Sequence, residues 1–418
     1  EDPVVRHFPT FRMSDPWVTR EMQVRDLLIH NSGLRAGAGD LMFWPEPNLF
    51  TRADIIAGLA HLQPIDSFRT RYSYDNLMYV VAGEVGATVA GLSYEELMRR
   101  ELFEPLGLTR CQVGEWRRDE VGNVAQPHTR RGDQNVVIRR DDALIPVSTS
   151  AAAGGIRCSL NDMLTWMRMW LDPELKSARG EPWLSAAQRN TLWSQQMPMP
   201  VSQRQRDWFD THFSAYGFGW RLADVDGLLS VSHTGTLSGM FSALTLLPDE
   251  RSGFVFMING DAAQARIVLT TVLTKQFSAP HEMVSVAQYA DALEAHSLEQ
   301  ANTNPLPDTS SRQPADVASF DALGMYRDPW FGEVAICAAN DRVQFRSMKS
   351  PRLTGEIMRV GEQLLVDWID QSVDAEAWLT FAKPASGATT LTMMKVDPEA
   401  DFSYDYEDLS FTRVAECP

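Results

Sequence analysis

Asn302 to Pro314 (NTNPLPDTSSRQP) divides this sequence into two textures. The stretch holds three prolines and one large apolar side chain, a composition that favours neither helix nor paired strand. It reads as a linker, which sets the expected organisation as a first unit over 1–300, a linker over 301–315 and a last unit over 316–418. The last unit carries short aromatic and β-branched runs at Gly332 to Ala338, Arg342 to Arg346, Gln363 to Ile369, Trp378 to Phe381 and Thr389 to Met394. That pattern predicts an all-β sandwich or barrel of about 100 residues.

The first unit mixes periodicities. Val18 to His30 predicts a helix ended by Asn31-Ser-Gly33, and Asp54 to Leu62 and Leu77 to Val89 predict buried helices. Ser93-Tyr-Glu-Glu96 has capping-box spacing and opens a helix expected to end before Pro105; Ser159-Leu-Asn-Asp162 opens another. From Tyr216 the texture turns to strands: Tyr216 to Trp220, Leu228 to Val231, Ser242 to Leu247 and Gly253 to Ile258, followed by a helix over Ala262 to Phe277. The expected fold class is α+β, an antiparallel sheet with a long helical insertion and a closing helix, then a small all-β unit.

Composition excludes several function classes. A formal charge of −17 argues against a phosphate-binding surface, so no nucleic acid is expected as partner. No apolar run approaches the roughly 18 residues of a membrane span. Half of the excess acidity lies in 316–418, where 18 acidic and 9 basic residues leave −9. Its densest part, Asp401 to Asp408 (DFSYDYED), reads as one wet and one buried strand face rather than a metal site. Cys111, Cys158, Cys337 and Cys417 form no C-x-x-C pair and are expected as free buried thiols. No metal or cofactor is expected. Glu1 to Pro9 carries neither an initiator Met nor a signal pattern and reads as the middle of something.

Three segments carry chemistry. In Tyr72-Ser-Tyr-Asp-Asn76, Tyr74 and Asn76 at a helix mouth place a phenol beside an amide. A cation lowering the phenol's pKa would make it a proton acceptor, and the amide would orient a carbonyl. In Ser232 to Gly239, His233 and Thr234 precede Gly235, where a ligand can approach the backbone, and the Thr236 N–H can donate to an oxyanion. In Ser148 to Ser159, Gly154 and Gly155 form a tight loop expected to line a cleft. Each segment has a bland structural reading when taken alone.

In this order, the segments resemble the serine β-lactamase and penicillin-binding-protein-like hydrolases, in the branch akin to class C β-lactamases, esterases and D-amino-acid peptidases. The resemblance rests on Arg25 to Leu34 (RDLLIHNSGL), Tyr74-Asp-Asn76, Pro105-Leu-Gly107, Gly154-Gly155 with Asn161-Asp-Met163, Tyr216 to Trp220, His233-Thr-Gly235 and Asn259-Gly-Asp261, and covers 1 to about 280. The tail, at Gly324 to Val334 and Asp401 to Leu409, resembles a β-rich unit often appended to these hydrolases. The resemblance implies a bacterial serine hydrolase of a small molecule or peptide, in a periplasmic or secreted setting, acting through an acyl-enzyme.

That chemistry needs a Ser-x-x-Lys. Only five lysines exist, and the residues three before them are Pro173, Val272, Arg346, Thr380 and Thr392. The resemblance places the motif upstream of Glu1, so a preceding or separate N-terminal segment is expected to carry it. Tyr74 would then shuttle the proton, Asn76 bind the acyl-side amide and the Thr236 N–H complete the oxyanion hole. His233 stands where β-lactam-binding relatives usually carry Lys, which favours an esterase or a D-amino-acid-type peptidase or amidase with a less anionic substrate. Two alternatives remain: a non-catalytic binding protein that keeps the cleft, and a partner-binding role for the acidic tail.

Overall fold

The computed structural model describes residues 1–132, 134–138, 142–303 and 305–418, with side chains throughout except at 300–302. Asn304, within the expected linker, lies outside the described residues. Helix starts follow local capping chemistry. Asp15 accepts from the Trp17 N–H and opens α1 (Pro16–Glu21). The helix expected over 18–30 stops there, because the buried Asp26 accepts from the Gln23 N–H, Asn31 Nδ2 and Arg69 and bends the chain into a single 3-10 turn at Asp26–Leu28. Thr51 and Asp54 form a capping box on α2 (Arg52–Gly58), and Asp75 caps α3 (Asn76–Ala90). Ser93 caps α4 (Tyr94–Met98), but Glu96 turns to Arg99 rather than back, so only half of the expected box forms. Nor does this helix end before Pro105. It widens into a π turn at Arg99–Phe103, closed by the Glu104 N–H donating to the Arg99 carbonyl, and continues through Glu104–Leu106. Ser159 caps α5 (Leu160–Leu171).

The sheet has six antiparallel strands: β1 (Met197–Met199), β2 (Ser214–Tyr216), β3 (Arg221–Val225), β4 (Leu228–Leu237), β5 (Met240–Leu247) and β6 (Ser252–Ile258), ordered as in the chain. The strand expected over Tyr216 to Trp220 is instead the end of β2 and a turn closed by the Gly217 N–H donating to the Trp220 carbonyl. Asp226 and Gly227, both at positive φ, make the tight turn between β3 and β4. Helix α6 (Ala263–Ser278) follows the sheet, and α7 (Val286–Thr303), which the sequence reading did not foresee, carries on into the expected linker. Val268, Tyr289 and Leu293 hold the two helices together.

The tail is a barrel rather than a sandwich. Strands β7 (Gly324–Asp328), β8 (Gly332–Ala339), β9 (Arg342–Ser347), β10 (Thr354–Val360), β11 (Gln363–Trp368), β12 (Ala377–Ala382), β13 (Thr390–Lys395) and β14 (Ser410–Ala415) pair antiparallel. The β7–β14 and β10–β11 pairings close the circle. The expected linker adds Gln313–Pro314 against β10, beyond the point where β9 stops pairing with it. Asp401 to Asp408 is not an alternating strand. It is a loop between β13 and β14 ending in a 3-10 turn, because several of its acids bind backbone N–H groups and cations elsewhere in the chain.

One apolar cluster runs through both parts, from Phe11, Met22, Leu41 and Val81 to Phe331, Phe345, Trp368 and Phe411. Phe50 of the helical part and Phe331 of the barrel pack with ring centres 5.6 Å apart. The barrel is therefore seated on the helical segment that carries Tyr74 and Asn76.

The cysteine expectation is corrected. Cys111–Cys158 and Cys337–Cys417 are disulfides, and no free cysteine remains. Sequence separations of 47 and 80 residues concealed pairs that the tertiary fold brings together. The first is set beside the mutual backbone hydrogen bonds of Gln112 and Arg157, which tie the stretch between Gly154 and α5 to the chain that follows Glu104–Leu106.

Candidate active site

A cavity of about 1660 Å³ lies between α3, the sheet and the barrel. Of the residues expected from sequence, Tyr74, Asn76, Gly154, His233, Thr234, Gly235 and Thr236 all line it. Gly155 does not. A Cβ there would lie 2.8 Å from the Ala151 Cα, so this glycine serves the tight turn while Gly154 faces open space.

Strand β4 outruns its neighbour. Pairing with β3 ends at Ser232, whereas pairing with β5 continues to Leu237. Residues 233–237 thus present one unpaired backbone edge, the element a bound peptide or oxyanion can use. Strand alternation leaves Thr234 and Thr236 exposed and His233 and Gly235 half-buried. At Gly235 a Cβ would come within 2.5 Å of Ser242 Oγ on β5, so the cross-strand neighbour favours glycine as well.

His233 has no ring nitrogen left for a ligand. Its Nδ1 lies 2.7 Å from the Thr234 carbonyl, which makes Nδ1 the donor, and Nε2 lies 3.1 Å from the Tyr216 hydroxyl, which therefore donates to it. Burial, and secondarily Arg221, push its pKa down to about 4, so the ring is neutral near pH 7. His30, fully buried, accepts the Asp75 N–H at Nδ1 and packs its ring 4.2 Å from that of Tyr74.

Tyr74 carries no lowered pKa in this setting. Burial drives its phenol up to about 12, and Arg221, whose guanidinium lies 5.8 Å from the ring centre, opposes this but loses. Asn76 donates from Nδ2 to Asp40 Oδ2 at 2.8 Å. Burial pushes Asp40 well above the usual carboxylate range, with the donors Ser403 and Asn76 acting in the opposite direction.

Two arginines were missed from sequence. Arg221 donates to Thr234 Oγ1 at 3.1 Å; Arg266 donates to Thr236 Oγ1 at 2.7 Å and to the Gly235 carbonyl at 3.0 Å. The available signals were positional: Arg221 directly follows Tyr216 to Trp220, and Arg266 lies in the helix after Asn259-Gly-Asp261. The barrel's share was missed too, since Asp374, Asp401, Phe402 and Ser403 line the same cavity. Among the described residues, no group of three or more His, Cys, Asp or Glu is arranged to hold a metal ion, and no single helix is long and apolar enough to cross a membrane.

The family model described as Beta-lactamase matches residues 1–275. The chain is 25% identical over 243 residues to Unguisins hydrolase ungD' of Aspergillus campestris, covering 57% of this chain and 42% of that protein. It is 26% identical over 268 residues to Penicillin-binding protein 4 of Amycolatopsis lactamdurans, covering 61% of this chain and 64% of that one. The chain thus spans less than half the length of the first of these relatives and under two thirds of the second. Among solved structures, the octameric penicillin-binding protein homologue from Pyrococcus abyssi is similar in fold over 99% of this chain and 82% of its own, with a TM-score of 0.52 at 17% identity. With the family model matching residues 1–275, about two thirds of its length, this chain belongs to the Beta-lactamase family of serine hydrolases.

Proposed function

We propose that the chain belongs to a serine acyl hydrolase working through an acyl-enzyme, with the Ser-x-x-Lys contributed by sequence preceding Glu1 or by a separate segment. The observation that carries this reading is the meeting of Tyr74, Asn76 and the unpaired β4 edge at one cavity. In the proposed reaction the serine Oγ attacks the substrate carbonyl while its proton passes to Tyr74 or the lysine. The Asn76 amide binds the acyl side, and the Thr236 N–H, with the nucleophile's own amide, stabilises the oxyanion. The leaving group departs with a proton, and water releases the acyl group. A phenol held near 12 needs more positive charge beside it to accept a proton near pH 7, and a lysine ammonium would supply it.

The proposed substrate is an ester, or a D-amino-acid-type peptide or amide. The neutrality of His233 supports a substrate that does not rely on it for a carboxylate. Arg221 and Arg266 keep a carboxylate-bearing peptide within the reading. The two disulfides support an oxidising compartment such as the periplasm or the exterior.

A fluorophosphonate probe on the natural full-length protein tests the reading, with the modified peptide identified by mass spectrometry. Labelling of a serine in an upstream Ser-x-x-Lys is expected. The second reading, a binding protein that keeps the cleft, draws on the lack of any Ser-x-x-Lys in these 418 residues. Absence of both label and motif in the natural protein would establish that reading in place of the first.

A further inference from the structure

The run Asp401 to Asp408 leaves the barrel and crosses to the cleft. Asp405, fully buried, accepts the N–H groups of Gly39 at 2.5 Å and Leu41 at 3.0 Å, and Asp408 pairs with Arg35 at 3.3 Å. These clamps hold the run against the turn that contains Asp40. Beside them, Ser403 Oγ donates to Asp40 Oδ2 at 2.8 Å, the same oxygen that accepts Asn76 Nδ2. The other oxygen, Oδ1, has no hydrogen-bond partner among the described residues. The orientation of this fully buried carboxyl therefore rests on two donors, one from the cleft and one from the barrel. Next to Ser403, the Phe402 ring stands edge-on to Tyr74 with centres 5.6 Å apart. A Cβ on Gly37 would lie 2.5 Å from the Phe402 carbonyl oxygen, so the backbones are as close as a glycine permits.

A side-chain amide has nearly the same shape either way round, and its partner decides which end faces a ligand. Oδ2 of Asp40 accepts from both Asn76 Nδ2 and Ser403 Oγ, so Asp40 holds the NH₂ end of Asn76 and leaves Oδ1 and the second N–H for the cleft. An Asp40 held by Asn76 alone can swing with it. We propose that Ser403 is a positioning residue: through Asp40 it fixes the aim of Asn76, and with Phe402 against Tyr74 it makes the barrel a working part of the cleft. This inference rests on the reading of Asn76 as the group that meets the substrate's acyl-side amide.

The test uses the natural full-length protein with Ser403→Ala, Ser403→Gly and Ser403→Thr. Selective ¹⁵N-asparagine labelling follows the Asn76 side-chain NH₂ by NMR, its resonance identified by its loss in Asn76→Ala. Either deletion is expected to shift this signal and speed its exchange with water at least tenfold, with recovery in Ser403→Thr; one lost hydrogen bond is worth about that factor. An unchanged Asn76 signal in a folded deletion variant overturns the proposal. On a chromogenic amide, kcat/KM should fall about tenfold in Ser403→Ala and not fall further when the change is made in Asn76→Ala. Equal losses in both backgrounds would make Ser403 a structural tie only. If the wild-type protein turns over no such substrate, the hydrolase reading fails and the NMR result still decides this one.

Discussion

The two large β structures described in this chain handle their edges in opposite ways. The six-stranded sheet is open, and β4 extends five residues past the end of its pairing with β3, leaving a backbone edge without a strand partner beside the cavity. The barrel pairs β7 through β14 in a closed circle, so its wall offers nothing of the kind. Unpaired strand edges are reactive toward other chains and ligands, and closure removes them. The comparison teaches that an open sheet can bind along its strands, whereas a closed barrel must act through what it projects. Here that projection is the Asp401 to Asp408 loop, which reaches Asp40 and Tyr74.

Four measurements would break or sharpen this contrast. The largest effect belongs to the open side: in the full-length protein, Tyr74→Phe should lower kcat on a chromogenic ester on the order of 100- to 10,000-fold. Unchanged turnover would take the phenol out of the reaction. Next, Cys111→Ser with Cys158→Ser releases a link across 47 residues beside the cleft. The chain-entropy account gives a loss of about 4 kcal/mol, read from urea denaturation, and no change in midpoint would show that the link does not constrain the unfolded chain.

Phe331→Ala probes the seam between the two structures. It empties a buried ring site against Phe50 and Phe411 and should cost roughly 3 kcal/mol or more, with the whole chain still melting in one transition. Two separate transitions would mean that the shared apolar cluster does not couple barrel and sheet. The smallest effect is electrostatic. His233 titrates near 4 when folded and near 6.5 when unfolded, so between these values the unfolded chain binds the extra proton and stability falls as the pH falls. His233→Gln removes this loss. Relative to the variant, the wild type should lose up to about 3 kcal/mol between pH 6.5 and 4, and parallel pH curves would refute the neutral ring.

Much of the fold was legible because it is written in near-neighbour chemistry. Asp75, Ser93 and Ser159 each cap the helix that the sequence announces, and the β-branched runs after Gly332 became β8, β9, β11, β12 and β13. The errors share a cause. The helix expected at Val18 to His30 was cut short by Asp26, whose side chain is also held by Arg69 from 43 positions away. The acid-and-aromatic run looked like a strand because its partners at Arg35, Gly39 and Leu41 lie more than 350 residues earlier.

The same division applies to the site. The sequence by itself determined the phenol, the amide, the glycine-bearing strand and, through five lysines, the lack of a Ser-x-x-Lys within these residues. Spacing and residue type suffice for those, since each is a local pattern. Only the tertiary structure decided that Tyr74 sits too deep to ionise easily, that His233 spends both nitrogens on its own chain, and that Ser403 and Asn76 share one oxygen of Asp40. Burial and hydrogen bonding depend on what the rest of the chain brings alongside, and no local pattern encodes that.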